Sequence, residues 1–219
     1  MAHPAGKKYE LIVFDFDGTL VDTVGDIAYH ANTVLADYGY PKKSVARVQK
    51  AIGWGVHELL KLLAPGFEKD AEKLEAAVNL FKKRYKQKPV LKTDAFPGVR
   101  AALEGPLKKT KKAIVTNKPQ DITELILKKL KLSRHFELTI GLHAGFLPKP
   151  DPGAMRRVMK ILKTSPGNTI FIGDSVVDRR TSKNAKIDFG WVRYGYDDFA
   201  AHKKPAIQFR HAGEWEKLV

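Results

Sequence analysis

Four short apolar runs rich in β-branched residues constrain this chain more than any other feature. They lie at residues 9–15 (YELIVFD), 112–116 (KAIVT), 169–173 (TIFIG) and 189–194 (FGWVRY). Each is a nearly continuous apolar stretch bounded by turn signals, the pattern of a strand covered on both faces in a parallel sheet. Residues 136–140 form a fifth, weaker candidate. Between the runs, Ile122, Leu125, Ile126 and Leu130 keep helical spacing, and so do Ala154, Val158, Ile161 and Leu162. Asp151-Pro152 ahead of the second set predicts an N-cap followed by proline at the first helical position. Strands alternating with helices predict an α/β fold on a doubly wound, mostly parallel Rossmann-like sheet.

Residues 21–94 break that alternation and hold no strand-like run. Val24, Ile27, Ala28, Ala31, Val34 and Leu35 fall on one helical face, as do Leu74, Ala77, Val78, Phe81 and Tyr85. Shorter helices are expected at residues 44–52 and 56–64. Gly39-Tyr40-Pro41, Gly53-Trp54-Gly55 and Pro65-Gly66 supply the breaks. Four helices with short connections make a small bundle. The alternating pattern restarts at Phe96-Pro97-Gly98. The expected organisation is therefore an α/β core of residues 1–20 and 95–219 with a four-helix cap, residues 21–94, inserted on two linkers and able to move as a lid.

The 219 residues contain no cysteine, which excludes disulfides, thiol nucleophiles and thiolate metal sites. No apolar run approaches the ~20 residues of a membrane span. The first eight residues lack the apolar stretch of a secretory signal, so the expected location is cytoplasmic. Thirty-nine basic against 24 acidic residues give a net charge of +15, a field that attracts anions, from phosphorylated metabolites to nucleic acid. Two clusters, Lys82 to Lys88 and Lys108 to Lys112, supply much of it. Neither carries the interleaved aromatics of a nucleic-acid platform, which leaves nucleic acid a possible but unfavoured partner.

The chemistry concentrates at strand ends. Phe14-Asp15-Phe16-Asp17-Gly18-Thr19-Leu20 places two carboxylates and a glycine turn after the first strand. Asp174 and Asp178 follow the strand of residues 169–173. The C-terminal edge of a parallel sheet is where such folds bind ligands. Acids gathered there repel one another unless a cation lies between them, and an all-oxygen set favours Mg²⁺. Thr116-Asn117 ends another strand ahead of a helix and suits a phosphate seat. Lys149, held between Pro148 and Pro150, is a cation on a rigid base. Taken singly, Thr116 also fits a strand-end turn and Lys149 an exposed loop lysine.

Asp15-x-Asp17-Gly18-Thr19, Thr116-Asn117, Lys149-Pro150 and Gly173-Asp174-x-x-x-Asp178 occur in that order. As a set they resemble the four signature motifs of the haloacid-dehalogenase-like hydrolase superfamily. The helical insertion is similar to that superfamily's small α-helical cap. Asp17-Gly18-Thr19-Leu20-Val21-Asp22-Thr23, Ile52-Gly53-Trp54-Gly55, Phe96-Pro97-Gly98-Val99 and Tyr194-Gly195-Tyr196 most resemble its phosphoglycolate phosphatases. One departure is the basic stretch Arg179-Arg180-Thr181-Ser182-Lys183-Asn184-Ala185-Lys186, where relatives carry a helix of small residues.

The resemblance implies a Mg²⁺-dependent phosphate monoester hydrolase, monomeric or homodimeric, acting on a small phosphorylated substrate such as phosphoglycolate. Asp15 is then the nucleophile that becomes an aspartyl-phosphate, and Asp17 the acid and base. Asp15, Asp17 (through its carbonyl), Asp174 and Asp178 hold the metal. Gly18, Thr19, Thr116, Asn117 and Lys149 bind the phosphoryl oxygens. In the cap, Gly53, Trp54 and Gly55 are candidate substrate contacts, with Arg47 and His57 as carboxylate binders. A sugar-phosphate mutase of this family needs an extra base or cation from the cap, and His57 and Lys61 could serve as those groups. A nucleotide or polynucleotide-end phosphatase, and a nucleic-acid-binding protein on the same scaffold, are the other readings.

Overall fold

The computed structural model describes residues 7–143, 145–199 and 202–219. The expectation that the first eight residues are no secretory signal falls, for residues 1–6, outside the described residues. Six parallel strands form the main sheet: β1 Leu11–Phe14, β4 Lys111–Pro119, β5 Leu138–Leu142, β6 Thr169–Gly173, β7 Asp188–Val192 and β8 Ile207–Phe209. Two short strands, β2 Val21–Asp22 and β3 Asp94–Ala95, pair with each other in antiparallel fashion. The main sheet runs β5-β4-β1-β6-β7-β8. The chain thus builds outward from β1 on one side, then returns to build outward on the other. The crevice for a ligand lies at that switch point, above the C-terminal ends of β1 and β6.

Alternation along the strands sorts the core into two layers. Ile12 and Phe14 of β1, with Ile114, Ile170 and Ile172, face α5 (Val99–Glu104), α6 (Gln120–Lys129) and the C-terminal 3₁₀ turn (Ala212–Leu218). Leu11, Val13, Ala113, Val115 and Phe171 face the opposite layer, α7 (Gly153–Ile161) and α8 (Val176–Ala185). All four residues of β1 are fully buried, which explains why their run is apolar throughout rather than at every second position.

The segment between β2 and β3 holds α1 Val24–Asp37, α2 Val45–Gln49, α3 Val56–Leu63 and α4 Ala71–Gln87, four helices as expected. A 3₁₀ turn, Pro65–Lys69, occupies the expected break at Pro65-Gly66. The apolar faces of the four helices join one continuous buried cluster with the first sheet layer. Residues 21–94 are not strandless, however. β2 and β3 tie the two linkers together, but two residues each are too few to leave an apolar run. A second fastening lies beside them. Buried Asp26 of α1 accepts hydrogen bonds from the N–H groups of Leu91, Lys92 and Thr93 and from the Thr93 hydroxyl, at 2.6–3.2 Å.

Two local expectations change. The second expected helix starts at Gly153, with Pro152 at the cap position and the Asp151 carboxylate accepting from the Gly153 N–H at 2.7 Å. The basic stretch after Asp178 forms α8 with Val177, Thr181, Ser182 and Ala185 inward, while Arg180, Lys183 and Lys186 face solvent. Its charge lies on the outer face and leaves the packing face small.

Replacing Asp26 with Ala should lower unfolding free energy by at least about 3 kcal/mol, because three backbone donors lose a charged acceptor in a desolvated place. Asp26→Asn should cost less. Urea unfolding measures both, and a loss below about 1 kcal/mol for Asp26→Ala would show that the linker does not depend on this anchor.

Candidate active site

Strand β1 ends at Phe14, and the Asp15 N–H still bonds the Ile172 carbonyl of β6 at 2.8 Å. That bond aligns the first acidic pair beside the second. The Phe16 carbonyl then takes the N–H groups of Leu20 and Val21, folding residues 16–21 into a tight turn. Gly18 lies at φ +81°, and a Cβ there would come within 2.3 Å of the Asp174 carboxylate. At Gly195 a Cβ would come within 2.2 Å of Asp174. Both glycines are required by the close approach of two loops to one carboxylate.

Asp15, Asp174 and Asp178 are all buried, and their carboxylate oxygens lie within 4.8 Å of one another. Lys149 Nζ sits between two of them, 2.7 Å from Asp15 and 2.6 Å from Asp178. Asp178 also completes a capping box at the start of α8, accepting from the Ser175 N–H and hydroxyl. Asp174 forms no ion pair among the described residues and accepts the Tyr196 N–H at 2.7 Å. One ammonium does not neutralise three carboxylates in a desolvated cluster. Burial, and then the Asp178 charge, push the Asp15 carboxyl up to about 7, against the opposing pull of Lys149. Burial with Asp178 and Asp15 raises Asp174 well above the usual carboxylate range. Lys149 is held firmly protonated by the same two acids despite its burial. The cluster is short of positive charge, and its oxygen donors suit a hard divalent cation.

Asp17 stands apart from the cluster. Its carboxylate accepts the Thr23 hydroxyl at 2.6 Å and faces Lys118 Nζ at 3.1 and 3.3 Å. Thr23 is in turn fixed by Tyr196, whose hydroxyl oxygen accepts the N–H groups of Thr23 and Val24 at 2.7 and 3.0 Å. Asp15, Asp17, Thr116, Asn117, Lys149 and Asp174 line one cavity of about 570 Å³, closed from the helical side by Gly53, Trp54 and Gly55.

Several expected site residues do other work. Asn117 braces the site rather than presenting its amide to it. Its Oδ1 accepts the Lys149 N–H at 2.7 Å, and its Nδ2 donates to the carbonyls of Lys149 and Gly53. Thr116 Oγ1 accepts the Lys118 N–H at 3.3 Å. Gly18 and Thr19 shape the turn without lining the cavity; Thr19 is fully buried, and its carbonyl accepts the Tyr194 hydroxyl. Arg47 and His57 also lie outside the cavity lining. Arg47 bonds the Leu62 carbonyl at 2.7 Å, and His57 bonds Glu75 at 2.8 Å on the exposed surface. Lys118, Thr23 and Tyr196 were not assigned roles from sequence. Lys118 directly follows Thr116-Asn117, and β4 runs on past both to Pro119.

Comparison with known proteins agrees with this geometry. The family described as haloacid dehalogenase-like hydrolases matches residues 12–192. The chain belongs to that family. It is 36% identical over 210 residues to phosphoglycolate phosphatase 1 of Pseudomonas aeruginosa, covering 93% of this chain and 75% of that protein. It is 33% identical to a phosphoglycolate phosphatase of Aquifex aeolicus, covering 85% of each. The crystal structure of a predicted phosphoglycolate phosphatase from Haemophilus somnus superposes with a TM-score of 0.85, at 26% identity, over 94% of this chain and 96% of that one. This haloacid dehalogenase-like hydrolase is a phosphatase. No described helix is long and apolar enough to cross a membrane.

Charge repulsion among the three acids predicts an inverted mutational effect. In chelator, Asp174→Asn should raise the melting temperature, by about 2–4 °C for each kcal/mol of repulsion relieved. The wild type should gain stability with added Mg²⁺ while the variant gains little. Between pH 3.8 and about 7 the folded protein holds a proton on Asp15 that the unfolded chain releases, so metal-free stability should fall as pH rises across that window. A lower melting temperature for Asp174→Asn in chelator would contradict the charge deficit.

Proposed function

We propose that this phosphatase is a Mg²⁺-dependent phosphate monoester hydrolase that works through an aspartyl-phosphate and takes a small phosphorylated acid of the phosphoglycolate type. The observation that carries the reading is the buried cluster of Asp15, Asp174, Asp178 and Lys149 beside a cavity of about 570 Å³ that Asp17 also lines. The names of the curated relatives supply the substrate class.

Asp15 attacks phosphorus, and the bond to the leaving oxygen breaks as the bond to the carboxylate forms. Asp17 gives its proton to that oxygen. It then takes one from the water that hydrolyses the acyl phosphate and returns Asp15. Lys149, paired to Asp15 at 2.7 Å, fixes the direction of the nucleophile and offers positive charge to the phosphoryl oxygens. Thr116 lines the remaining approach. Asp15, Asp174 and Asp178, with the Asp17 carbonyl, are the groups that would hold Mg²⁺, which when bound neutralises charge on the transferring group.

Residues 21–94 serve as the lid over this site. They rest on the core through Asn117 to the Gly53 carbonyl, at 2.9 Å, and Gln49 to the Tyr196 carbonyl, at 3.3 Å. Such a lid excludes water and favours small substrates over polymers. His57 and Lys61, the groups a mutase would use, pair with Glu75 and Glu58 away from the cavity, which favours hydrolysis over transfer to a second hydroxyl. The expected place of action is the cytoplasm.

With Mg²⁺ present, phosphoglycolate should release phosphate. Asp15→Asn should abolish turnover with the fold intact by circular dichroism. Asp17→Asn should cut kcat by roughly 10²–10⁴-fold, the share of acid–base catalysis. Near-wild-type turnover in Asp15→Asn, or indifference to chelator, would refute the proposal.

A further inference from the structure

Among the described residues, Lys118 is the one buried cation in the cavity wall that neither the metal cluster nor the phosphoryl group accounts for, and it touches the leaving-group acid. Its side chain is only 5% exposed, and its Nζ lies 3.1 and 3.3 Å from the two oxygens of Asp17. The stem is fixed as well. Nζ stands 4.5 Å from the centroid of the Tyr85 ring and 3.4 Å from the Tyr85 hydroxyl, and Tyr85 is itself fully buried in α4. A lysine held this way loses little further freedom when it binds an anion. Two other cations line the cavity, Lys50 and Arg193, but both are exposed, where solvent and salt weaken their pull.

The position follows from the reaction. Asp17 must approach the departing oxygen to within hydrogen-bond distance, about 2.6–3.2 Å. An ammonium in contact with Asp17 is therefore one group away from that oxygen. In a 2-phospho acid the carboxylate is attached to the carbon that bears the departing oxygen, so it falls within reach of the same ammonium. In a neutral ester of equal size nothing meets it.

We propose that Lys118 is the residue that selects the substrate, its ammonium binding a carboxylate carried by the leaving group next to the departing oxygen. This rests on the phosphatase reading above and adds the residue and the chemical class it reads. The selectivity is bounded by Asp17, which keeps Lys118 partnered when a neutral ester binds. The expected preference is therefore roughly 10–100-fold, the range of a charge-assisted pair, rather than the larger factors of a site left with an unpaired charge. The lid contributes through Tyr85, because α4 supplies the surface on which Lys118 lies.

The test compares phosphate release, with Mg²⁺, from phosphoglycolate and from ethyl phosphate, a neutral analogue of the same length. Wild type should favour phosphoglycolate by roughly 10–100-fold in kcat/KM. Lys118→Met should reduce that ratio to near one, whereas Lys50→Met should leave it within about threefold of wild type. Thermal melts confirm folding, and Lys118→Gln, which keeps a donor toward Asp17 and Tyr85, replaces the Met variant if that variant does not fold. Equal losses on both substrates would make Lys118 a positioning residue for Asp17 and overturn the proposal. A ratio that collapses in Lys50→Met and survives in Lys118→Met would overturn it too. No turnover of either ester by wild type would instead refute the phosphoglycolate-type substrate reading of the proposed function, and this assignment of Lys118 with it.

Discussion

Three carboxylates and one ammonium buried together at the ends of two adjacent strands set the terms for the rest of this molecule. Charges removed from water must be paired or repel one another, and here the pairing is incomplete: Lys149 pairs with Asp15 and Asp178, while Asp174 forms no ion pair among the described residues and accepts the Tyr196 N–H. An arrangement of this kind persists only if the surrounding scaffold is strong enough to hold it. The scaffold is a six-stranded parallel sheet whose central strand is fully buried on both faces. The charge cluster and the apolar sheet therefore belong to one argument. The sheet supplies the stability, and the cluster supplies a place where a divalent cation and a phosphoryl group are favoured.

The switch in strand order explains why the acids meet at all. β1 and β6 are neighbours in space, yet their paired residues, Leu11 with Thr169 through Phe14 with Ile172, are 158 positions apart along the chain, so every intervening element is free to serve other ends. Four helices of that intervening chain close the cavity, and their two linkers are fastened by β2 with β3 and by Asp26. Hydrogen bonds from Asn117 and Gln49 then join core and helical segment at the cavity itself. In the lid role proposed for this segment, opening breaks these last contacts while the fastened linkers stay intact.

Much of this was legible in the sequence, and the parts that were not share a cause. The runs within β1, β4, β6 and β7 could be read because burial on both faces makes most of their central positions apolar. The four helices could be read because each carries an apolar face. β8 escaped notice because three residues with Gln208 at their centre make no run, and its place at the sheet edge demands none. The acids could be read as a set because carboxylates at two strand ends call for one cation. Side-chain partners could not. Arg47 and His57 offered suitable charge near the right loop, yet the Leu62 carbonyl and Glu75 satisfy them elsewhere. Lys118 looked like one of many lysines until its neighbours, Asp17 and Tyr85, were brought to it from 101 and 33 residues away.

The central claim is that the phosphoryl group passes through Asp15. Acid-quenched turnover with phosphoglycolate and Mg²⁺, followed by borohydride reduction, converts a trapped aspartyl-phosphate to homoserine that peptide mass mapping can place. The account predicts homoserine at position 15 and at no other acidic residue. Homoserine at Asp17, Asp174 or Asp178, or steady phosphate release with residue 15 left unmodified at every quench time, would contradict it.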